Sequence, residues 1–135
     1  MDIAKHFGKD KKKMNEGVKV PLSDDGTYHI VRHVASEKVT EVIKKLSDKE
    51  KEFWNSSDFD SPEGKKVLIK VIAKGGLAGW GGGFSVGGEP LEFSDENAML
   101  LLSHEALGDY MIRVLTDMGS PGLFGLDDFK LNLKN

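Results

Sequence analysis

Histidine is the residue type in this chain best suited to metal binding or proton transfer, and the sequence contains four histidines. His29 and His33 are the closest pair, and strand alternation places both on one face. Their spacing along a strand is too long for easy joint binding of one metal ion, and no third ligand is close in sequence. We therefore interpret them as a pair on the surface of a strand, with zinc binding as the less favoured alternative.

Two further segments superficially resemble ligand sites. Residues 58–64 begin like a calcium loop, but Pro62 stands where a third acidic or amide side chain is required. The glycine cluster between 75 and 88 lacks the Gly-Lys-Ser/Thr sequence of a phosphate-binding loop, and it follows a helical pattern instead of a strand. A loop leading into a capped helix and a long connection between elements are the simpler interpretations.

A nucleophilic catalytic site is not predicted either. Ser103, His104 and Glu105 are contiguous, so their side chains diverge around a helix start, and Ser103 is predicted to be the N-cap of that helix. The chain has no cysteine, which excludes thiolate catalysis and thiolate metal sites. The sequence thus predicts a protein that is not an enzyme, with no catalytic, metal-binding or cofactor-binding residue and no cofactor.

Composition favours a small intracellular binding or assembly protein. A length of 135 residues suits one domain, and the formal net charge of -3 is too acidic for a dedicated nucleic-acid binder. No apolar run approaches the roughly 18 residues of a membrane span, and the N-terminus lacks the apolar core of a signal peptide. We expect a cytoplasmic protein that binds neither membrane nor nucleic acid.

The N-terminal third should contain a polar arm and then a hairpin. Residues 1–16 are predicted to be a flexible arm, in which Lys11, Lys12 and Lys13 form a solvated charge run or, less plausibly, a phosphate contact. A β-hairpin is predicted over about 18–33, because apolar alternation flanks the turn residues 23–26. Pro21 cannot donate a ladder hydrogen bond, so its strand should lie at a sheet edge.

The rest of the chain is predicted to be mainly helical. Apolar stripes at helical spacing run over 39–46, 67–72, 99–102 and 107–118, and they should share one core that includes Leu115. A smaller hairpin is predicted at 84–93, whereas the glycine-rich residues 79–83 should be irregular. The fold class is therefore mainly α within α+β, with a single domain over 17–118 and a C-terminal tail over 119–135.

Large aromatic and apolar residues outside the regular stripes are the candidates for a protein interface. Trp80 lies among glycines and is predicted to be a buried packing anchor or, alternatively, an interface anchor. The full candidate set for a protein interface is Phe53, Trp54, Trp80, Leu123 and Phe124. If these side chains were exposed together, they would form a larger apolar patch than a monomer usually shows.

The order of these elements resembles a known family. The strongest part is the Leu77-Ala78-Gly79-Trp80 junction followed by the segment from Pro90 to Asn97, and the likeness extends over about residues 17–118. In this region the chain resembles the tail assembly chaperones of long-tailed (siphovirus) bacteriophages, which are functionally equivalent to the lambda G protein. The glycine run 81–83 is richer than is typical of the family, and residues 119–135 lie outside the likeness.

The resemblance implies a non-enzymatic role in tail morphogenesis. Such chaperones bind the long tape measure protein, help to recruit tail tube protein, form homo-oligomers, and are often also made in a frameshift-extended form. The expected location is the host cell cytoplasm and not the mature virion. A groove for an amphipathic tape measure helix could be built from helix faces around 39–54 and 107–118, with adaptable methionines at 99, 111 and 118.

Three other classes stay open at this stage. Another phage morphogenetic protein, such as a head–tail connector, would share the same composition. A small nucleic-acid-binding regulator would use the lysines between Lys9 and Lys13. A small enzyme would need a deep pocket with converging polar groups.

Overall fold

The computed structural model describes residues 1–133 and has the mainly helical α+β architecture that the sequence predicts. The first half of the chain forms α1 (Ile3–Phe7), α2 (Lys11–Glu16), β1 (Val18–Pro21), β2 (Tyr28–Val31), α3 (Glu37–Lys44), α4 (Asp48–Ser56) and α5 (Pro62–Val71). The second half forms a π-helical turn (Ile72–Gly76), β3 (Leu77–Gly81), β4 (Ser85–Val86), β5 (Glu89–Pro90), α6 (Asp95–Ser103), a 3-10 turn (Glu105–Leu107), α7 (Gly108–Met118) and a second 3-10 turn (Pro121–Phe124). None of the helices within residues 1–133 has the length and apolarity needed to cross a bilayer.

Both predicted hairpins are present. In the first, β1 pairs antiparallel with β2, and the Asp25 carboxylate accepts a 3.0 Å hydrogen bond from the Thr27 amide within the turn. In the second, β4 pairs with β5, and the two-residue connection Gly87-Gly88 has φ values of 59° and 83°. Two positive φ values in succession are what a type I′ turn requires, which is why glycine occupies both positions.

A third strand departs from the prediction that residues 79–83 are irregular. Strand β3 pairs antiparallel with β2, which makes β2 the centre of a sheet with the order β1-β2-β3 and leaves β1 at an edge, as Pro21 indicates. Gly81 lies opposite Tyr28, and a Cβ atom on Gly81 would lie 2.6 Å from the Tyr28 hydroxyl. Glycine is therefore favoured at position 81 of the strand, because the Tyr28 side chain occupies the space that a Cβ atom would need.

Serine caps begin most of the longer helices. Ser36, Ser47, Ser61 and Ser94 each accept a backbone N–H of the following turn, and Ser47 and Glu50 form a complete capping box. Ser103 was predicted to be a cap but is the last residue of α6, where its hydroxyl donates to the Met99 carbonyl. The His104 ring accepts the capping bond from the Ala106 amide instead, so α6 and α7 are separated by a 3-10 turn.

The π-helical turn is the centre of the packing, because it contacts α3, α5, α6, α7 and β3. Its two glycines allow these approaches. A Cβ atom on Gly75 would lie 3.0 Å from the Val39 Cα atom, and one on Gly76 would overlap the Met118 side chain. A larger residue at Gly75 would press on the backbone of α3, and one at Gly76 would displace the Met118 side chain.

One hydrophobic core joins the predicted stripes, with a correction in α7. Val39, Val67, Leu102, Val114 and Met118 are all buried in it. Leu115, however, is 37% exposed, so the prediction that it is a core residue is wrong. The helix turns Val114 and Met118 inward, and these two residues are one helical turn apart on the same stripe.

The two ends of the chain pack on each other. Helix α1 contacts the second 3-10 turn, the Leu126 amide donates to the Ala4 carbonyl, and the Asp10 amide donates to the Phe124 carbonyl. The Lys13 ammonium donates to the Gly125 carbonyl at 2.9 Å and pairs with Asp127 at 2.7 Å. The segment expected to be an arm is thus two short helices on the C-terminal segment, and one lysine of the charge run is bonded within the chain.

Candidate functional site

The candidate interface residues do not form one exposed patch. Trp80 is 8% exposed and Phe124 is fully buried. Phe53, Trp54 and Leu123 are partly buried against the core. Within this chain the five side chains therefore contribute mainly to its own packing, as the anchor interpretation of Trp80 predicts.

Trp80 is held by an aromatic cluster. Its ring stacks on Phe84 with 4.3 Å between centroids and meets the edge of Phe93 at 4.9 Å. The indole N–H donates a 2.7 Å hydrogen bond to the Leu91 carbonyl. The bond attaches the end of the second hairpin to the three-stranded sheet.

A polar network lies behind this cluster and corrects the prediction of a surface histidine pair. His29 is fully buried, with Nε2 at 2.7 Å from the Asp117 carboxylate and Nδ1 at 3.0 Å from the Tyr110 hydroxyl. Arg113 donates to the same Asp117 oxygen at 3.0 Å and to the Pro21 carbonyl at 3.3 Å. The face of β2 that carries His29 is buried because α7 covers it, which no local pattern reveals.

Electrostatics favour a neutral His29 ring. Burial lowers the pKa of His29, and the adjacent Asp117 carboxylate opposes that shift only in part. Burial also raises the pKa of Tyr110, and the negative charge of Asp117 adds to the shift. Nε2 therefore donates to Asp117, and Nδ1 accepts the Tyr110 proton, so every polar atom of the ring has a partner.

This network has residue types that transfer protons in many enzymes, but its histidine is fully buried. His29 exposes none of its surface, and none of the cavities described below is lined by it. The geometry suits a buried polar network that fixes the orientation of α7 on the sheet.

His33, the second member of the predicted pair, is also buried. Its Nδ1 accepts a 2.9 Å hydrogen bond from the Ala35 amide, and its ring meets the edge of Phe124 at 5.0 Å. Burial lowers its pKa, and the charge of Lys9 lowers it further. Among residues 1–133 no three His, Cys, Asp or Glu side chains lie close enough to hold a metal ion.

An open concavity lies between the N-terminal helix and the segment that follows Phe124, and we call it the terminal groove. Its volume is about 510 Å³, and its apolar lining is Ile3, Ala4, Phe7, Leu126, Phe129 and Leu131. Ile3, Phe7 and Phe129 are 62%, 60% and 53% exposed. The sequence pattern does not predict this surface, because Ile3 and Phe7 lie in the predicted arm and Phe129 lies in the predicted tail.

A second apolar concavity lies on α6, and we call it the α6 groove. It has a volume of about 200 Å³ and is lined by Val86, Leu91, Asn97, Leu100, Leu101, His104 and Leu107. Leu100 is 71% exposed, although Leu101 and Leu102 beside it are buried. The run of three leucines predicted a core segment, but a helix cannot turn three consecutive side chains inward.

The methionines expected to line a groove are placed differently. Met118 is 2% exposed in the core, and Met99 and Met111 are partly buried against that core. The prediction of an adaptable methionine surface is therefore wrong for Met118.

Comparison of the chain with protein-family models, curated proteins and solved structures finds no match.

Proposed function

We propose that this chain is a non-enzymatic tail assembly chaperone of a long-tailed bacteriophage, which binds the tape measure protein and helps to recruit tail tube subunits. The residue pattern around Trp80 and from Pro90 to Asn97 supports this proposal through its resemblance to such chaperones. These residues form the Trp80 cluster, the second hairpin and the start of α6, next to the α6 groove.

The main observation in favour of the proposal is that the polar network around His29 is buried, whereas the two apolar grooves are open to solvent. His29, the residue most suited to chemistry, is sealed, whereas the terminal groove and the α6 groove expose large apolar side chains. Contiguous exposed apolar surface is typical of protein-binding sites. A tape measure protein is long and largely helical and exposes apolar stripes until tube protein surrounds it, so its chaperone needs open apolar grooves.

The terminal groove suits a partner that must later be displaced. It is shallow and open, and part of its wall is the short helix α1, which has five residues. Contacts with such a wall are individually weak, and an isolated helix of this length is marginal in water. A tube subunit that covers the same tape measure stripe could then replace the chaperone.

The principal test is co-expression with the tape measure protein encoded in the same genome. We expect the two proteins to co-purify, and we expect Phe7→Ser combined with Phe129→Ser to weaken the complex. Ile112→Ser is the matched control, because Ile112 is 60% exposed on α7 and lies outside both grooves. No complex with both proteins soluble, together with normal tails after deletion of the gene, would refute the proposal.

Self-association is the second part of the proposal, either between copies of this chain or with a frameshift-extended form of it. The exposed side chains of Ile3, Phe7 and Phe129 would be covered in such an assembly. Light scattering at micromolar concentration should detect species above the monomer mass of 14.8 kDa. A strict monomer at every concentration would remove the homo-oligomer from the proposal.

A further inference from the structure

We propose that the α6 groove binds an amphipathic helix that carries lysine or arginine on both sides of its apolar stripe. The inference rests on the proposed function only in taking the natural source of this helix to be the tape measure protein. The chemistry of the occupant follows from the groove itself.

Exposed apolar side chains line the α6 groove. Leu100 is 71% exposed and Val86 is 39% exposed, and they line the groove together with Leu101 and Leu107. A closed apolar cavity of ~150 Å³ is large enough for one benzene molecule. An open groove of about 200 Å³ therefore suits one or two large apolar side chains of a partner.

Three glutamates neighbour the residues that line the α6 groove. Glu89 lies opposite Val86 in the second hairpin, Glu96 precedes Leu100 by one turn of α6, and Glu105 follows His104. All three glutamates are exposed, and none forms an ion pair with another residue of the described chain. Three exposed carboxylates that form no ion pair within residues 1–133 therefore neighbour the residues of the apolar floor.

The excess of acidic over basic residues extends along the sequence on both sides of α6. Between Lys74 and Arg113 there is no lysine or arginine, whereas six acidic residues occur there: Glu89, Glu92, Asp95, Glu96, Glu105 and Asp109. The whole chain has a formal net charge of only -3, so this segment is far more acidic than the rest. A complementary partner must bring positive charge, which steers encounter and excludes acidic competitors.

A helix is the form of partner that the floor favours. Leu100 and Leu101 come from α6, and Leu107 comes from the 3-10 turn that follows it. Side chains of helices offer ridges and grooves and no free ladder hydrogen bonds, so they select another helix over an added strand. Residues at i, i+3 or i+4 of the partner would fill the groove.

The chain carries its own reporter of occupancy. The Leu91 carbonyl accepts the Trp80 indole N–H at 2.7 Å, and the Leu91 side chain lines the groove. The sequence has two tryptophans, so Trp54→Phe leaves Trp80 as the only source of indole fluorescence. A ligand that moves Leu91 should shift the Trp80 emission.

The experiment titrates the Trp54→Phe protein with two synthetic helical peptides. One has leucine on one face and lysine on the other, and the matched peptide has glutamate in place of every lysine. We expect saturable binding of the lysine peptide, at least about tenfold tighter than the glutamate peptide and weakened by salt. Equal binding of the two peptides would overturn the charge argument.

Three variants in the same background locate the site. Leu100→Glu should abolish binding of the lysine peptide, and Glu96→Lys combined with Glu105→Lys should reverse the preference between the peptides. Ile112→Glu is the control, since Ile112 is 60% exposed on α7 and outside the groove, and it should bind as the parent does. Circular dichroism verifies that each variant is folded. Undiminished binding by folded Leu100→Glu would overturn the proposal.

Three further outcomes separate this inference from the alternatives to it. If Leu100→Glu dissolves oligomers of the full chain and a peptide of residues 1–13 competes with the lysine peptide, the occupant is a second copy and the inference is wrong. If the tape measure protein binds Leu100→Glu as well as the parent, the groove assignment fails while the proposed function stands. If the parent binds the lysine peptide but does not bind the tape measure protein, the groove assignment stands while the proposed function fails.

Discussion

His29 shows how a residue that looks available for chemistry can be fully used by the structure. Both ring nitrogens have partners, Asp117 and Tyr110, and α7 closes over the ring. The sequence identified the strand and the face on which His29 lies. It could not reveal the burial of that face, because the covering residues follow about 80 positions later, as the separation of 81 between His29 and Tyr110 shows.

Replacing His29 should change the pH dependence of stability. The pKa of folded His29 lies below its ordinary value of 6.5, so below that pH the unfolded chain binds a proton that the folded chain does not. The stabilisation is therefore complete above about pH 6.5 and is lost as pH falls toward the folded pKa. We expect His29→Gln to cost about 1–3 kcal/mol at pH 8, and the cost should shrink in acid.

The measurement is denaturant unfolding of both proteins across pH 5 to 8. Ile112→Gln is the control, because Ile112 is 60% exposed on α7 and carries no titratable group, so its difference from the parent should stay constant with pH. Arg113 and Asp117 face His29 in both the parent and the control. A cost of His29→Gln that does not vary with pH would contradict a neutral buried ring.

Met118 and Leu115 make a matched pair for the packing of α7. Met118 is 2% exposed and covers Gly76, whereas Leu115 is 37% exposed. Met118→Ala should lower the free energy of unfolding by about 2–5 kcal/mol, and Leu115→Ala by less than about 1 kcal/mol. Chemical denaturation of the two variants is the measurement, and equal costs would contradict the assigned face of the helix.

At the scale of elements, local chemistry was the predictable part of the fold. The first hairpin, the type I′ turn at Gly87-Gly88 and the caps at Ser36, Ser47, Ser61 and Ser94 depend on neighbouring residues alone. Strand β3 was not predicted, because its partner β2 is distant in sequence and glycine disfavours a strand unless a neighbouring side chain fills the space beside it, as Tyr28 does at Gly81. The exposure of Leu100 was likewise decided by packing of α6 on the core.

Alanine substitutions at Gly82 and Gly83 probe the backbone conformation just after the end of β3. Both have positive φ values, 67° and 86°, but only at Gly82 would a Cβ atom overlap the Gly26 carbonyl, whereas Gly83 has open space. Gly83→Ala should cost about 1–2 kcal/mol from conformational strain alone. Gly82→Ala should cost clearly more, since the hairpin turn must also move. Thermal unfolding of both variants measures the difference, and equal losses would show that the contact with the hairpin is unimportant.

At the scale of the whole molecule, the two ends of the chain stabilise each other. Phe124 is fully buried, its ring meets His33 at 5.0 Å, and its carbonyl accepts the Asp10 amide. The sequence assigned these ends to an arm and a tail, because each is too short and too polar to predict a partner. Neither α1 nor the residues after Phe124 have a strong period of their own.

Phe124→Ala should therefore detach the N-terminal helices as well as destabilise the core. We expect a loss of about 3–5 kcal/mol in the free energy of unfolding and faster tryptic cleavage at Lys9, Lys11 and Lys12 under native conditions. Ile112→Ala is the control, because Ile112 is 60% exposed on α7 and lies outside the terminal groove, and it should leave both measurements nearly unchanged. Cleavage of the Phe124 variant at the parent rate would show that the N-terminal helices are held by other contacts.

The π-helical turn has a consequence for how related genes can vary in length. It connects α5 directly to β3, and along β3 successive side chains alternate between the two faces of the sheet. Deleting one residue from 72–76 would allow an ordinary α-helical turn. The same deletion would shift β3 by one position, so Trp80 would point to the opposite face of the sheet and a glycine would lie against Phe84 and Phe93. Insertions and deletions should therefore be tolerated at the Gly87-Gly88 turn and selected against here, so the distance from the start of α5 to Trp80 should be constant among functional homologues.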